Sequence, residues 1–412
     1  MKSDRLQRLL SVGLAGTWAV MMGCGGGSST ITPTPPSTPT TPPSSGSNVQ
    51  SITVNTGPTA NYIDGAFTSV TVCVPGSTTS CQTIGGILVD TGSSGLRILS
   101  SALTISLPQQ TGANGSAIVE CLPFVDGITW GPVQTVDLTI AGEEAKSLPI
   151  QVIGSSSFPT IPGGCTSNGA PEDDLASLGA NGILGVGNFA QDCGSACTES
   201  GGSNPGLYYS CPNSGCVVTT EALSNQVPNP VVLFATDNNG VIIELPSVTG
   251  AETSVSGSLI FGIGTQSNNG LGSATIYTID PNIGNFTTVF NNISYGDASF
   301  LDSGSNAIYF LDANTTGLPI CTDATYWYCP TSTQNLSATN QAFGGGATGS
   351  VNFVAGNADT LSANLNNGVA NGLTGPNPGS FDWGLPFFFG RKVYTAVEGK
   401  NTPGGAGPYW AY

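Results

Sequence analysis

The chain has 412 residues, a formal net charge of −17, no histidine, and 8% charged residues against 58 glycines. Without histidine there is no Ser-His or Cys-His nucleophile and no His-ligated metal. An enzyme built on this chain must run its acid–base chemistry mainly on carboxylates. The negative charge repels phosphate backbones, so nucleic acid is not expected as a partner. The apolar content of 39% is enough, over this length, for two domains with their own cores.

Lys2, Arg5 and Arg8 precede an apolar stretch, Leu9 to Met22, that closes on Gly23-Cys24. The stretch is too short to span a bilayer and has the layout of a secretion signal. Its end resembles the bacterial lipobox, in which the cysteine is acylated and becomes the mature N-terminus. The alternative is an ordinary signal peptide with an incidental cysteine. Gly25 follows, and the absence of Asp there points to the outer membrane, facing the periplasm or the cell surface. The remaining segment to residue 48 is rich in Gly, Ser, Thr and Pro, as in Pro33-Thr34-Pro35-Pro36. It reads as an extended tether of about 3.1 Å per residue with no capacity for a core. The expected organisation is a signal at 1–23, a lipidated cysteine and tether at 24–48, an N-terminal β lobe at 49–225 and a C-terminal β lobe at 226–412.

Beyond residue 48 most segments are short apolar runs broken by Gly, Asn, Pro and Ser. Phe67–Val74, Val231–Phe234, Val241–Leu245 and Leu259–Phe261 read as strands. Only Glu172–Leu178 and Glu221–Asn225 read as short helices. Apart from Cys24 there are ten cysteines, which in an oxidising compartment form up to five disulfides. Close spacing favours Cys73–Cys81 and Cys321–Cys329. Cys193, Cys197, Cys211 and Cys216 pair among themselves or, alternatively, bind zinc.

One pattern occurs twice. Ile87-Leu88-Val89-Asp90-Thr91-Gly92-Ser93 and Ser299-Phe300-Leu301-Asp302-Ser303-Gly304-Ser305 each deliver an aspartate from an apolar strand into a hydroxyl-Gly-Ser turn. Asp-Ser/Thr-Gly is a common turn tripeptide. Two strand-borne copies, each with Ser at the fourth position, are a stronger signal than one.

The two segments resemble the catalytic loops of pepsin-like aspartic peptidases, one per lobe. Asn181-Gly182-Ile183-Leu184-Gly185 resembles the strand that crosses behind the first loop. Phe124-Val125-Asp126-Gly127, followed by Trp130, resembles the flap hairpin, and Gly257–Gly262 the strand opening the second lobe. Trp383-Gly384 and Phe387–Val397 resemble the final strands. The resemblance covers about residues 50–400 and implies an all-β, two-lobed fold. It implies Asp90 and Asp302 as catalytic carboxyls that activate a water. Thr91, Gly92, Ser93, Ser303, Gly304 and Ser305 would then support the pair. The flap tyrosine of the family is Phe124 here, and its tryptophan partner is Arg97. A guanidinium over the Phe124 ring, worth roughly 0.5–2 kcal/mol, with Asp126 as a second anchor, would replace the lost hydrogen bond. A surface arginine paired with a carboxylate is the alternative for Arg97.

Three functions follow: an active lipid-anchored endopeptidase, an inactive peptide- or protein-binding lipoprotein of the same fold, or a structural β-rich lipoprotein. The first implies a peptide or protein substrate, membrane contact through the anchor only, a monomer, and neither cofactor nor metal.

Overall fold

A computed structural model describes residues 44–202 and 204–412. The signal stretch, Cys24 and the tether up to residue 43 lie outside the described residues. Among the described residues the regular structure is nearly all strand, and the helices are short, such as Leu175–Leu178. No helix among them is long and apolar enough to cross a membrane.

Strand β1 is Val49–Asn55, β2 Gly65–Cys73, β3 Cys81–Asp90 and β4 Ser94–Leu99. The hairpin β5 (Ala117–Pro123) and β6 (Ile128–Ile140) follows, then β7 (Glu143–Ile153) and β8 (Gly182–Val186). In β1, burial alternates at Ile52 and Val54, as expected of a strand with one covered face. The last four residues of β3 and all of β8 are buried on both faces, because each runs between neighbours in the sheet. Strands β2, β3, β8, β4, β7 and β6 form a closed ring, since β6 returns to pair with β2 at Thr71↔Thr139.

The second lobe is built on a seven-stranded sheet centred on Ile293–Leu301, Asn377–Trp383 and Ile308–Leu311, with the same crossing of a parallel and an antiparallel neighbour. Its core is aromatic: Phe381 stacks on Trp383 at 5.3 Å, and Phe353 meets Trp383 edge-on at 5.2 Å. The lobes share a floor. β1 pairs with Val255–Phe261 (Ile52↔Gly257), which pairs with β11, Gly240–Glu244. One buried apolar cluster runs from Ile52 and Val89 through to Leu301, Trp383 and Trp410.

The two expected helices are shorter than read, Leu175–Leu178 and a 3-10 turn at Leu223–Asn225, and they are not alone: short helices also stand at Gly163–Thr166, Ala313–Thr316 and Ala358–Leu361. Val231–Phe234, read as a strand, is instead part of a 3-10 turn, Pro230–Leu233. Pro230 supplies no N–H for a ladder, and the Asn229 side chain accepts from the Val231 N–H at 3.1 Å, which starts the turn. Five disulfides form: Cys73–Cys81, Cys121–Cys165, Cys193–Cys197, Cys211–Cys216 and Cys321–Cys329. The four-cysteine cluster is thus two disulfides, and no free thiolate remains there for zinc.

Asp64 ties the lobes at the start of β2. Its N–H donates to Gly368 O at 2.9 Å, and its Oδ1 accepts from the Ala370 N–H at 2.8 Å. Its Oδ2 is buried without a partner. Burial pushes this carboxyl up to about 8, against the lowering effect of the Ala370 hydrogen bond. The unfolded carboxyl ionises near about 3.9. The folded state therefore holds a proton that the unfolded chain releases, and stability falls as pH rises from about 4 to about 8, by roughly 1.4 kcal/mol per pH unit. Asp64→Asn keeps the acceptor for Ala370 and tolerates the positive φ of 56°. It should raise the melting temperature at pH 8 and leave it unchanged at pH 4. Equal gains at both values in a calorimetric pH series would show that Asp64 does not titrate this way.

Candidate active site

β3 carries Asp90 to its end, and the turn Thr91-Gly92-Ser93 hands the chain to β4. β8 threads between them, parallel to β3 (Val89↔Leu184) and antiparallel to β4 (Leu96↔Leu184). The second lobe repeats the pattern. Asn377–Trp383 runs parallel to Ile293–Leu301 (Leu301↔Trp383) and antiparallel to Ile308–Leu311 (Ile308↔Trp383). The crossing strands pass so close that a side chain at two glycines is barred. A Cβ at Gly185 would lie 2.8 Å from Ser93 Oγ, and one at Gly384 2.0 Å from Ala307 O.

The two turns grip each other. The Thr91 N–H donates to Ser303 Oγ at 3.1 Å, and the Ser303 N–H donates to Thr91 Oγ1 at 3.0 Å. Each hydroxyl then donates across the axis: Thr91 Oγ1 to Leu301 O at 3.3 Å and Ser303 Oγ to Val89 O at 2.8 Å. This exchange fixes the two aspartates side by side. Asp90 Oδ1 accepts from the Gly92 N–H at 2.7 Å, and its Oδ2 accepts from Ser93 Oγ. Asp302 Oδ1 accepts from the Gly304 N–H at 2.8 Å and its Oδ2 from Ser305 Oγ at 2.9 Å. Both aspartates are 0% exposed. Burial, and next the charge of Asp302, hold Asp90 well above the usual carboxylate range, and a hydrogen-bonding effect of Asp302 adds to the rise. Two carboxyls in one such pair cannot both ionise, so the pair retains a proton. It can take a proton at one oxygen while giving one from another.

The β5–β6 hairpin closes with the Phe124 N–H on Gly127 O at 2.7 Å. Its two faces separate. Ile118, Leu122 and Phe124 join Tyr62 and Leu88 in one cluster, while Val119, Cys121, Ile128 and Trp130 pack with Cys165 and Tyr209 in another. Trp130 therefore faces away from Phe124. It donates its Nε1–H to Phe158 O at 2.9 Å and anchors the hairpin from outside. Asp126 sits beside Glu172, whose carboxyl is pushed up to about 8 by burial and then by Asp126.

Arg97 does not lie over Phe124, and it is not a surface residue. It is 0% exposed. Nη2 donates to Glu120 Oε1 at 2.7 Å and to Asp192 Oδ2 at 3.2 Å, and Nη1 donates to Ser94 O at 2.8 Å. A desolvated guanidinium needs countercharge, and two buried carboxylates outweigh a ring quadrupole. Tyr208 Oη extends the network, donating to Asp192 at 2.9 Å and accepting from the Val227 N–H at 2.7 Å. Burial, and next Glu120, raise Asp192 well above its ordinary range.

Sequence reasoning missed Glu120, Asp192, Tyr208, Tyr62 and Asp382. Glu120 had a signal, an acid inside the alternating strand Val119-Glu120-Cys121-Leu122. Tyr62 Oη is buried without a hydrogen-bond partner, and its ionisation is opposed first by burial, then by Asp126, Glu172, Asp302 and Asp90 in turn. It packs in the same apolar cluster as Phe124 and Leu88.

Two β lobes that exchange hydrogen bonds through paired Asp-hydroxyl-Gly turns define the pepsin-like fold. The chain is similar in fold to the crystal structure of the aspartic proteinase from Irpex lacteus. The TM-score is 0.51 at 15% identity, over 88% of this chain and 96% of that one. A family model described as a protein of unknown function, DUF3443, matches residues 44–412, and the chain belongs to that family. No curated protein matches it.

Removing one partner of a buried ion pair costs about 3–5 kcal/mol. Arg97→Ala should lower the unfolding free energy by that amount in urea, since it strands Glu120 and Asp192 together. Arg97→Lys should recover only part of it, because one ammonium lacks the planar fork that reaches both carboxylates and Ser94 O. A loss below about 1 kcal/mol for Arg97→Ala would mean the acids simply take up protons and the network is dispensable.

Proposed function

We propose that the protein is an aspartic endopeptidase that cleaves peptide bonds with a water activated between Asp90 and Asp302. The observation that carries this reading is the reciprocal exchange between Thr91 and Ser303, which joins the turns that follow two buried aspartates. One carboxylate takes a proton from the water as it attacks. The other gives the shared proton to the carbonyl oxygen, and the negative charge never leaves the pair. Ser93, Ser305 and the Gly92 and Gly304 N–H groups hold the outer oxygens, so reorganisation during the step is small. A binding protein of the same fold is the second reading. It is favoured by the 0% exposure of both aspartates, since a peptide reaches them only after an opening motion. Incubation with a mixed peptide library between pH 3 and 7 separates the two. Cleavage is expected in the wild type, and Asp90→Asn and Asp302→Asn should each remove at least about 10²–10⁴-fold of it while the melting temperature holds. Retained cleavage in either variant rejects the two-carboxyl mechanism, and peptide binding without cleavage selects the second reading.

The same proposal places the protein outside the cytoplasm as a lipoprotein of a bacterial outer membrane, facing the periplasm or the cell surface. Five disulfides support an oxidising compartment. The Gly23-Cys24 junction supports acylation at Cys24. Cys24→Ser should abolish incorporation of labelled fatty acid and release the protein from the membrane fraction. Unchanged labelling in that variant rules Cys24 out as the anchor.

A further inference from the structure

Ser305 serves two acids at once. Its Oγ lies 2.9 Å from Asp302 Oδ2 and 2.7 Å from Asp382 Oδ2. A hydroxyl has one proton to donate, so it satisfies only one of two ionised carboxylates, and the other contact would then be oxygen against negative oxygen. At least one of the two acids must carry a proton. Asp302 has a second donor, the Gly304 N–H at 2.8 Å. Asp382 is 5% exposed, and its Oδ1 is buried with no hydrogen-bond partner among the described residues. Burial, then Asp302, with Asp90 last, hold its carboxyl well above the ordinary range, and no cation is among the groups that act on it. Its neighbours across the strands are Phe300 on one side and Tyr309 on the other. Tyr309 Oη lies on Asn306 Oδ1 at 2.7 Å.

The first lobe has no such acid. The residue of β8 opposite Leu88 and Arg97 is Ile183. Leu88 and Arg97 stand at the same offsets from Asp90 as Phe300 and Tyr309 do from Asp302. Asp382 thus occupies the position where the internal repeat has isoleucine.

We infer that Asp382 is a third, protonated acid of the site, a positioning residue that donates to Ser305 Oγ and so turns the Ser305 proton toward Asp302. The order of donation is Asp382 to Ser305 to Asp302, and three carboxyls then hold two protons. When Asp382 ionises, the Ser305 proton is contested, Asp302 keeps only the Gly304 N–H as an undivided donor, and a second negative charge stands one hydroxyl away. The aspartate pair then holds its own proton more tightly. The proton count rests on this geometry alone; only its consequence for catalysis rests on the peptidase reading.

The test is carbon-13 NMR of aspartate-labelled full chain across pH, with resonances assigned by Asp382→Asn, Asp90→Asn and Asp302→Asn. The Asp382 carboxyl should stay in its acid form well past the value of about 3.9 for a free aspartate. Asp382→Asn keeps a donor toward Ser305 but cannot ionise. It should move the alkaline step of the Asp90–Asp302 pair to lower pH by about one unit or more. In a Ser305→Ala background the same substitution should move it less. The inference is overturned if Asp382 titrates near about 3.9 in the wild type, a measurement that needs no variant to fold. It is equally overturned if Asp382→Asn leaves both partner titrations in place. Where peptide cleavage is found, the alkaline limb of its kcat/KM profile should move with the NMR step. Failure to find cleavage would remove the peptidase reading and leave these titrations as they are.

Discussion

The site depends on four hydrogen bonds between two turns. Thr91 and Ser303 each give a backbone N–H to the other's hydroxyl, and each hydroxyl gives its proton to a carbonyl of the opposite lobe. All of these groups are buried. A displaced lobe would leave several of them unpaired, at about 1–3 kcal/mol each. The shared floor through β1 and Val255–Phe261 holds the lobes together over a broad front. It does not by itself fix two side chains to a fraction of an ångström. The turns do, and they require a hydroxyl directly after each aspartate.

A second constraint is the scarcity of positive charge. Beyond the signal stretch the chain has five basic residues, Arg97, Lys146, Arg391, Lys392 and Lys400. Among the described residues, buried acids outnumber buried cations. Arg97 serves Glu120 and Asp192, while Asp64, Asp90 and Asp382 have no cationic partner among the described residues in reach of a salt bridge. Desolvated carboxyls without countercharge stay protonated. In this fold, acid conditions therefore match the protonation the interior already prefers. Asp64 and Asp382 lie in different places and draw on the same cause.

What the sequence made legible was local. The paired Asp loops, the crossing strand at Gly182–Gly185 and the short-range disulfides each lie within a few residues of their own signal. The partners of Arg97 were not legible. Glu120 is 23 residues away and Asp192 is 95 away, and only the closing of the sheet brings them together. A cation opposite a phenylalanine invited a ring contact, although the alternation of Val119-Glu120-Cys121-Leu122 put Glu120 on the face of Phe124. Asp382 was hidden for a different reason. It stands in the run Ser380-Phe381-Asp382-Trp383-Gly384, which reads as an ordinary last strand until it is laid over β8 and found to face the site. Val231–Phe234 failed because a short apolar run has no period long enough to separate a strand from a turn, and Asn229-Pro230 decided it.

The exchange of the flap hydrogen bond for the Arg97 network changes what the hairpin can do. β5 is held on both edges, by β6 and by the strand Tyr208–Cys211. Cys121–Cys165 and the Trp130 bond to Phe158 fasten its outer face. On its inner face Glu120 is paired with Arg97, which lies on the strand leaving Asp90. Lifting the base of the hairpin would separate these charges in a dry interior, a far larger cost than breaking one neutral hydrogen bond. On the peptidase reading proposed above, an opening that admits a peptide to two aspartates of 0% exposure would be confined to the tip, beyond Leu122, where Phe124 and the neighbouring acids Asp126 and Glu172 are the parts to be released. On that reading the Arg97 network would set the hinge at the base of the tip, because the charges below it cannot separate without cost.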